Sequence, residues 1–399
     1  METDDDGEFL EHKTENSETE IISQKLIDMK TRSILMTTLC SLMLSMGLVS
    51  CSDNEDLEQP DSPIDRPYRY GHFILNQGLW GANNANITLS AFTVHDNALT
   101  EQMNYYEKAN GKKLGDLANA MMEEDDNIYV VLNGSKYVAR LDKGTVEKAR
   151  YTVPQSEGEP RCIDVEDDYA YVTQHGGQVI KLNTKDMTLA GTFKGGDNLE
   201  GIVEKDGKLY VANAWKLDGS NNYLYNKELL VIDTKTMTQT GSIAVVDNPE
   251  MMYEIDDKIY VISQGNYYDV QAALQVVDPK AGTAKVILND VDKIAEGLNG
   301  LIYGVKSTYD ENWNTVNSFF TYNPKDGKVS ETSFLQDAPS ELSSMAIYLL
   351  KVDEDHGFIY VGTSDYVNSG TIYQFDKNGK LIQSFDSGGI NPSAMIFMD

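Results

Sequence analysis

The sequence predicts an all-β protein, a seven-bladed β-propeller with four-stranded antiparallel blades, and three observations carry that expectation. Six short apolar strands bear a tyrosine at the same point: Ile128-Tyr129-Val130, Ala170-Tyr171-Val172, Leu209-Tyr210-Val211, Ile259-Tyr260-Val261, Leu301-Ile302-Tyr303 and Ile359-Tyr360-Val361. A seventh copy, Phe73-Ile74-Leu75, has Phe in place of Tyr, and the copies recur about 40 to 57 residues apart, the period of a four-stranded blade. The two ends also complement each other: Asn391 to Met398 reads as a first strand with no second, and His72 to Gln77 as a second strand with no first. Pairing the C-terminal strand with the N-terminal blade closes the ring and removes its exposed sheet edges.

Each strand of a blade follows from alternation and turn chemistry. In the fourth repeat, Leu199 to Glu204 is a first strand, Lys205-Asp206-Gly207-Lys208 a tight turn and Leu209 to Ala212 a second strand. A long loop then leads to the third strand, Leu229 to Asp233, and a short turn to the fourth, Thr238 to Val245. The first turn recurs as Glu124-Asp125-Asp126-Asn127, Glu166-Asp167-Asp168-Tyr169 and Ile255-Asp256-Asp257-Lys258, all hairpin chemistries. The second recurs as Asp142-Lys143-Gly144, Asn323-Pro324-Lys325-Asp326-Gly327 and Asp376-Lys377-Asn378-Gly379. Strands alternate in direction, so both sets of minimal turns share one face of the disc. Their Asp clusters are explained by turn capping without a metal. The blades are expected over 114–155, 159–194, 198–245, 249–288, 291–335 and 339–385, with the composite blade making the seventh.

Ahead of the propeller, expected over 71–399, the chain divides into three segments. Residues 1–28 are acidic and polar and read as a mis-assigned start, with translation beginning at Met29. Residues 29–50 read as a secretory signal, a basic Met29-Lys30-Thr31-Arg32 followed by a short apolar run and Leu48-Val49-Ser50-Cys51. That ending resembles a bacterial lipobox, which implies lipidation of Cys51. Residues 51–70 form an acidic, proline-bearing tether, and an acidic run directly after a lipidated Cys resembles the signal that sends lipoproteins of the Bacteroidota to the outer face of the outer membrane. Of the three cysteines, Cys40 lies in the leader and Cys162 alone remains in the body, which excludes a disulfide framework.

The formal net charge is -30, with Lys and Arg scattered. No basic stripe exists to neutralise phosphates, so nucleic acid is excluded as a partner.

The opposite face collects the loops between second and third strands and those joining blades. It carries Trp80, Asn133, Tyr137, Gln174, His175, Asn213, Trp215, Tyr223, Gln264, Tyr267, Tyr268, Tyr309, Trp313 and Tyr366, including all three tryptophans. Aromatic side chains among Asn, Gln and Gly are what a recognition surface uses for apolar contact with hydrogen bonds, so these residues are the candidate ligand-binding set. Blade capping is the alternative for any one of them. An enzyme needs a constellation that the sequence supplies sparingly. His175 is the one body histidine expected on this face, as a hydrogen-bonding loop residue, with metal ligation open as an alternative. Glu157, Glu159, Glu200, Glu250, Glu296 and Glu341 stand near the starts of first strands and can ring a central channel. An acid/base pair drawn from them would serve a lyase or hydrolase.

Leu209-Tyr210-Val211-Ala212-Asn213, followed by Leu230-Val231-Ile232-Asp233-Thr234-Lys235-Thr236, resembles the YVTN repeat of surface-layer and YncE-like propellers. With the lipobox and the acidic run, the whole is similar to cell-surface lipoproteins of gut Bacteroidota that capture cobalamin and sit over a TonB-dependent transporter. That resemblance implies a lipid-anchored, outward-facing, non-enzymatic protein of the outer membrane. It would require no cofactor, bind a corrinoid as ligand and pass it to the transporter. A glycan-binding or protein-interaction propeller is the alternative, since the fold hosts many activities.

Overall fold

The computed structural model describes residues 69–93 and 95–398, and these fall in one compact unit, Arg66–Asp399. Cys51 and the expected leader and most of the tether lie outside the described residues. Seven four-stranded antiparallel sheets form the body. Blade 1 is composite: β1 (Arg69–Asn76), β2 (Asn86–Thr93) and β3 (Leu99–Asn104) are completed by the last strand, β28 (Pro392–Met398). Register runs from Gly71 opposite Met398 to Asn76 opposite Pro392. The closure expected from the two chain ends is therefore present. Strand β1 begins at Arg69, so Arg69 and Tyr70 belong to the blade rather than the tether.

The other blades follow in order. Blade 2 holds β4 (Ala118–Glu124) to β7 (Glu147–Thr152), blade 3 β8 (Pro160–Glu166) to β11 (Leu189–Lys194), and blade 4 β12 (Asn198–Lys205) to β15 (Thr238–Ala244). Blade 5 holds β16 (Pro249–Ile255) to β19 (Thr283–Asn289), blade 6 β20 (Val291–Glu296) to β23 (Lys328–Ser330), and blade 7 β24 (Ala346–Asp353) to β27 (Leu381–Asp386). The first strands of successive blades pack on one another around the axis, as β4 on β8, β8 on β12 and β12 on β16. They line the channel.

The repeated tyrosine is the wedge between blades. Tyr129, Tyr171, Tyr210, Tyr260, Tyr303 and Tyr360, with Phe73, are all buried. Each belongs to a different one of seven apolar clusters, and each cluster draws on two adjacent blades. Tyr171 of blade 3, for example, meets Leu209, Val211 and Leu230 of blade 4. Removing any such side chain from water stabilises by about 1.5–3 kcal/mol, and the ring multiplies that gain by repeating it.

The turn face matches its chemistry. Asp125 and Asp126 have φ of 49° and 61°, and Asp256 and Asp257 48° and 62°, the left-handed pair that a two-residue hairpin turn demands and that Asp tolerates. The loop face differs from expectation in one place. The stretch Asn213 to Lys227 is largely a ladder: β13 (Lys208–Leu217) and β14 (Tyr223–Asp233) extend beyond the sheet with Trp215 opposite Tyr225 and Leu217 opposite Tyr223. Trp215 and Leu217 facing Tyr225 and Tyr223 let the blade 4 strands continue where Asn213 and Asn226 suggested loop. In blade 6 the loop lies where it is expected, between Tyr309 and Thr315, the last pair of β21 (Ile302–Tyr309) and β22 (Thr315–Asn323). A helix, α1 (Tyr105–Asn110), also links blade 1 to blade 2, capped by the Asn104 side chain and ended by Gly111 at φ 64°.

Candidate aromatic recognition face

Four loop tips on this face are wound around a single Asn or Asp. The Oδ1 of Asn266 accepts from the backbone N–H of Tyr268, Asp269 and Val270 at 2.9–3.0 Å. Asp310 Oδ1 accepts from Asn312 and Asn314, Asp365 Oδ1 from Val367 and Asn368, and Asp218 Oδ1 from Ser220 and Asn222. These caps force three large aromatic residues into the left-handed region: Tyr267 at φ 58°, Trp313 at 63° and Tyr366 at 64°. That conformation costs an L-residue about 1–2 kcal/mol. The three side chains stand largely in solvent, Tyr267 at 69%, Trp313 at 71% and Tyr366 at 53% exposure, so burial does little to offset the cost.

A continuous aromatic arc crosses blades 3 to 5. His175 meets Trp215 edge to face at 5.6 Å, Trp215 meets Tyr223 at 5.0 Å, Tyr223 stacks on Tyr225 at 6.3 Å, and Tyr225 meets Tyr267 at 5.7 Å. Further round, Tyr309 adjoins Trp313 and Tyr348 adjoins Tyr366. Tyr268 is the most exposed large residue of the face. Trp80 is exposed too, on the blade 1 loop fastened by the Asp116 carboxylate, but no ring contact joins it to the arc among the described residues. Two open recesses elsewhere, about 300 Å³ beside Phe319 and Leu342 and about 650 Å³ beside His356 and Lys377, lack this aromatic character. The arc is a projecting surface rather than a cavity.

The polar members of the candidate set sit lower. Asn133, Tyr137, Gln174 and Asn213 are buried. The Asn133 amide donates to the Pro160 carbonyl of blade 3 at 3.3 Å, and Asn213 accepts from Asp197 N–H and donates to Glu228. Tyr137 donates to the Leu114 carbonyl beneath the Arg150 guanidinium. These three hold blades and loops in place under the face. Both amide atoms of Gln174 are buried without a hydrogen-bond partner, whereas Gln264 is half-buried at the end of β17.

At the channel mouth the inward residues of the first strands meet. Arg161 Nε lies 2.8 Å from Glu200 Oε2, and His175 Nε2 lies 2.8 Å from Glu200 Oε1. The Arg161 charge keeps the Glu200 carboxyl low despite burial. One blade on, Glu250 is pushed up to about 7 by burial and then by the Glu200 charge, only partly offset by Arg161 and Lys293. Burial also pushes the Cys162 thiol up to about 12, which suppresses the thiolate a nucleophile needs. Of the other candidate carboxylates, Glu159 approaches Lys136 at 3.9 Å, and Glu341 is exposed on a short 3-10 turn. Glu296 ends β20 and faces Glu354 and Asp256 at the opposite end of the channel. Arg161 and Tyr348 were not singled out by sequence; inward alternation along β8 and β24 is the signal that would have found them. No group of three or more His, Cys, Asp or Glu side chains suited to a metal is gathered among the described residues.

No family model matches the sequence, and no curated protein matches it. Solved structures resemble the fold. A functionally unknown protein from Desulfotomaculum acetoxidans is 12% identical with a TM-score of 0.52, covering 82% of this chain and 98% of that one. BamB from Moraxella catarrhalis is 12% identical with a TM-score of 0.45, over 80% of this chain and 91% of that one. Streptogramin B lyase is 13% identical with a TM-score of 0.49, over 67% and 82%. Likeness at such identities extends to the propeller fold alone.

Proposed function

We propose that this protein is a capture propeller, anchored through lipid on Cys51 to the outer face of the outer membrane. In this reading it binds a bulky amphipathic nutrient on its aromatic face and passes it to a TonB-dependent transporter. The observation that carries the binding reading is the set of left-handed aromatics. Strain of about 1–2 kcal/mol per residue persists only where surrounding structure over-determines it, and such residues cluster at ligand sites. Here the caps hold Tyr267, Trp313 and Tyr366 out into solvent, where they pack little and are already ordered for a partner. Preorganised rings lower the entropic cost of binding.

A corrinoid is the leading ligand, on the resemblance drawn from the lipobox, acidic run and repeat. Its broad apolar ring suits the arc from Trp215 to Tyr267, and its peripheral amides suit half-buried Gln264 and the exposed phenols of Tyr268 and Tyr309. Sugar faces also stack on aromatic platforms, so a glycan is the competing ligand. Titrating the full chain with cyanocobalamin and with a glycan panel in a calorimeter separates the two. Saturable heat from cyanocobalamin alone supports the corrinoid, while heat from a glycan with none from cyanocobalamin overturns it. Product formed from the bound ligand would replace capture by catalysis.

A further inference from the structure

Blade 6 has only a remnant of its fourth strand. In blade 4, β15 pairs with Glu228 to Asp233, and in blade 7, β27 pairs with Thr371 to Phe375. In blade 6, β23 pairs only with Thr321 to Asn323 of β22. Residues Thr315 to Phe320 of β22 therefore have β21 on one side and, among the described residues, no strand on the other. The chain after Ser330 shows the cause. Phe334 stacks on Tyr303 at 4.5 Å and meets Phe319 edge to face at 5.5 Å, and Leu335 enters the apolar cluster between blades 6 and 7. Gln336 N–H then donates to the Gly379 carbonyl of blade 7 at 2.8 Å. These contacts draw the chain off the rim before it can run alongside β22.

The uncovered edge has none of the devices that keep edges from pairing. Its sequence, Thr-Val-Asn-Ser-Phe-Phe, contains no charge and no proline, and its register with β21 runs without a bulge. Val316 on it is 45% exposed. The open recess of about 300 Å³ adjoins this edge and is lined by buried Phe319 and Leu342, with Pro339 and Glu331. The Asn317 amide ties the edge to the turn beyond, donating to the Leu342 and Met345 carbonyls at 3.0 and 2.7 Å. Side chains alternate along a strand, so a strand added here turns one row into the recess and the other towards Val316.

Charge selects the occupant. The segment that borders the recess, residues 331–341, carries Glu331, Asp337 and Glu341, all exposed, and no Lys or Arg. Lys306 pairs with Glu331 at 2.9 Å and leaves the other two carboxylates, on a chain whose net charge is -30. That field attracts a cationic partner. The acidic, proline-bearing residues 51–67 of this chain have the wrong chemistry for the edge. We propose that blade 6 takes up an extended, basic segment of a partner protein as its missing fourth strand. This docking requires neither the aromatic face nor the ligand assigned to it.

The test uses a dye-labelled peptide of about ten residues, alternating Lys with Val and Thr, titrated into the full chain and followed by fluorescence anisotropy. Hydrogen exchange maps where it lies. We expect saturable binding with slowed exchange of amides within 315–320, and binding about tenfold or more weaker when Glu replaces Lys in the peptide. The same peptide methylated on its backbone amides keeps the charge but cannot form the ladder, and it should not bind. Ser318→Lys, at an exposed position of the edge, should melt within about 2 °C of wild type and weaken the peptide about tenfold. Val316→Lys gives the same reading at a second exposed position. No binding, equal binding of the methylated or acidic peptide, protection confined to other residues, or unchanged affinity in both folded lysine variants overturns the proposal. An edge already protected without peptide overturns it too. Protection lost on deleting residues 51–67 would then assign the edge to the chain's own tether, and protection lost on dilution would assign it to a second copy.

Discussion

Removing residues 392–399 is expected to abolish cooperative unfolding near the wild-type temperature, whereas removing residues 51–67 shifts the midpoint by no more than about 2 °C. Strand β28 supplies the inner strand of blade 1, with Met395 and Ile396 at 4% and 8% exposure. Asn391, just before it, holds Ser364 of blade 7 at 2.6 Å. Loss of the strand uncovers two apolar side chains at about 1.5–3 kcal/mol each. It also leaves β1 as an open edge and unseats the inner strands of blades 2 and 7, which pack on β28. The sum is comparable with the ~5–15 kcal/mol by which whole domains are stable. A C-terminal truncation that melts like the intact chain would contradict the closure account.

The second large effect is acid destabilisation through His72. Its ring is fully buried among Tyr70, Phe92, Tyr360, Phe385 and Phe397, at centroid distances of 4.8–6.4 Å, and neither ring nitrogen has a hydrogen-bond partner. Burial holds the imidazole down at about 3, against 6.5 in the open chain. The native state therefore binds the proton less readily than the unfolded state. Its stabilising contribution is complete above pH 6.5 and is lost as pH falls from there towards 3. At pH 4.5 the loss is about 3 kcal/mol. His72→Leu should be more stable than wild type by about 1 kcal/mol at pH 7, because two orphaned polar atoms disappear. The advantage should widen steeply by pH 4.5. Denaturant midpoints of both proteins at the two pH values measure this, and a constant difference would mean that His72 does not titrate in the unfolded-to-native transition.

The fold was legible because its information is repeated. Seven aromatic wedges, two families of short turns and two half-blades all pointed to one architecture. What escaped was local and non-repeating. Helix α1 occurs once, between blades, and its Asn104 cap looks like any turn residue. The ladder beyond Leu209 to Ala212 carries Asn213 and Asn226, which read as loop, and the cross-strand pairing of Trp215 with Tyr225 makes it strand. Within the site, face and aromatic character followed from strand direction, but depth did not. Asn133, just past the second strand of blade 2, and Asn213, within β13, look in sequence like the exposed loop residues around them, and their burial depends on distant partners, Pro160 of the next blade for Asn133 and Asp197 and Glu228 for Asn213. The charge pairing at the channel mouth joins Arg161 and His175 of blade 3 to Glu200 of blade 4. No single repeat contains it.

The claim that the aromatic loop face captures the ligand is tested most directly by one paired measurement, cyanocobalamin affinity and melting temperature for Trp313→Gly and for Lys325→Ala on the turn face. Trp313 is 71% exposed and left-handed, so glycine relieves backbone strain while deleting the ring. The account predicts that Trp313→Gly melts at or above the wild-type temperature yet loses about 2 kcal/mol of binding, roughly thirtyfold in affinity, while Lys325→Ala changes neither. Equal affinity in both variants and wild type, or equal losses from the two faces, would contradict it.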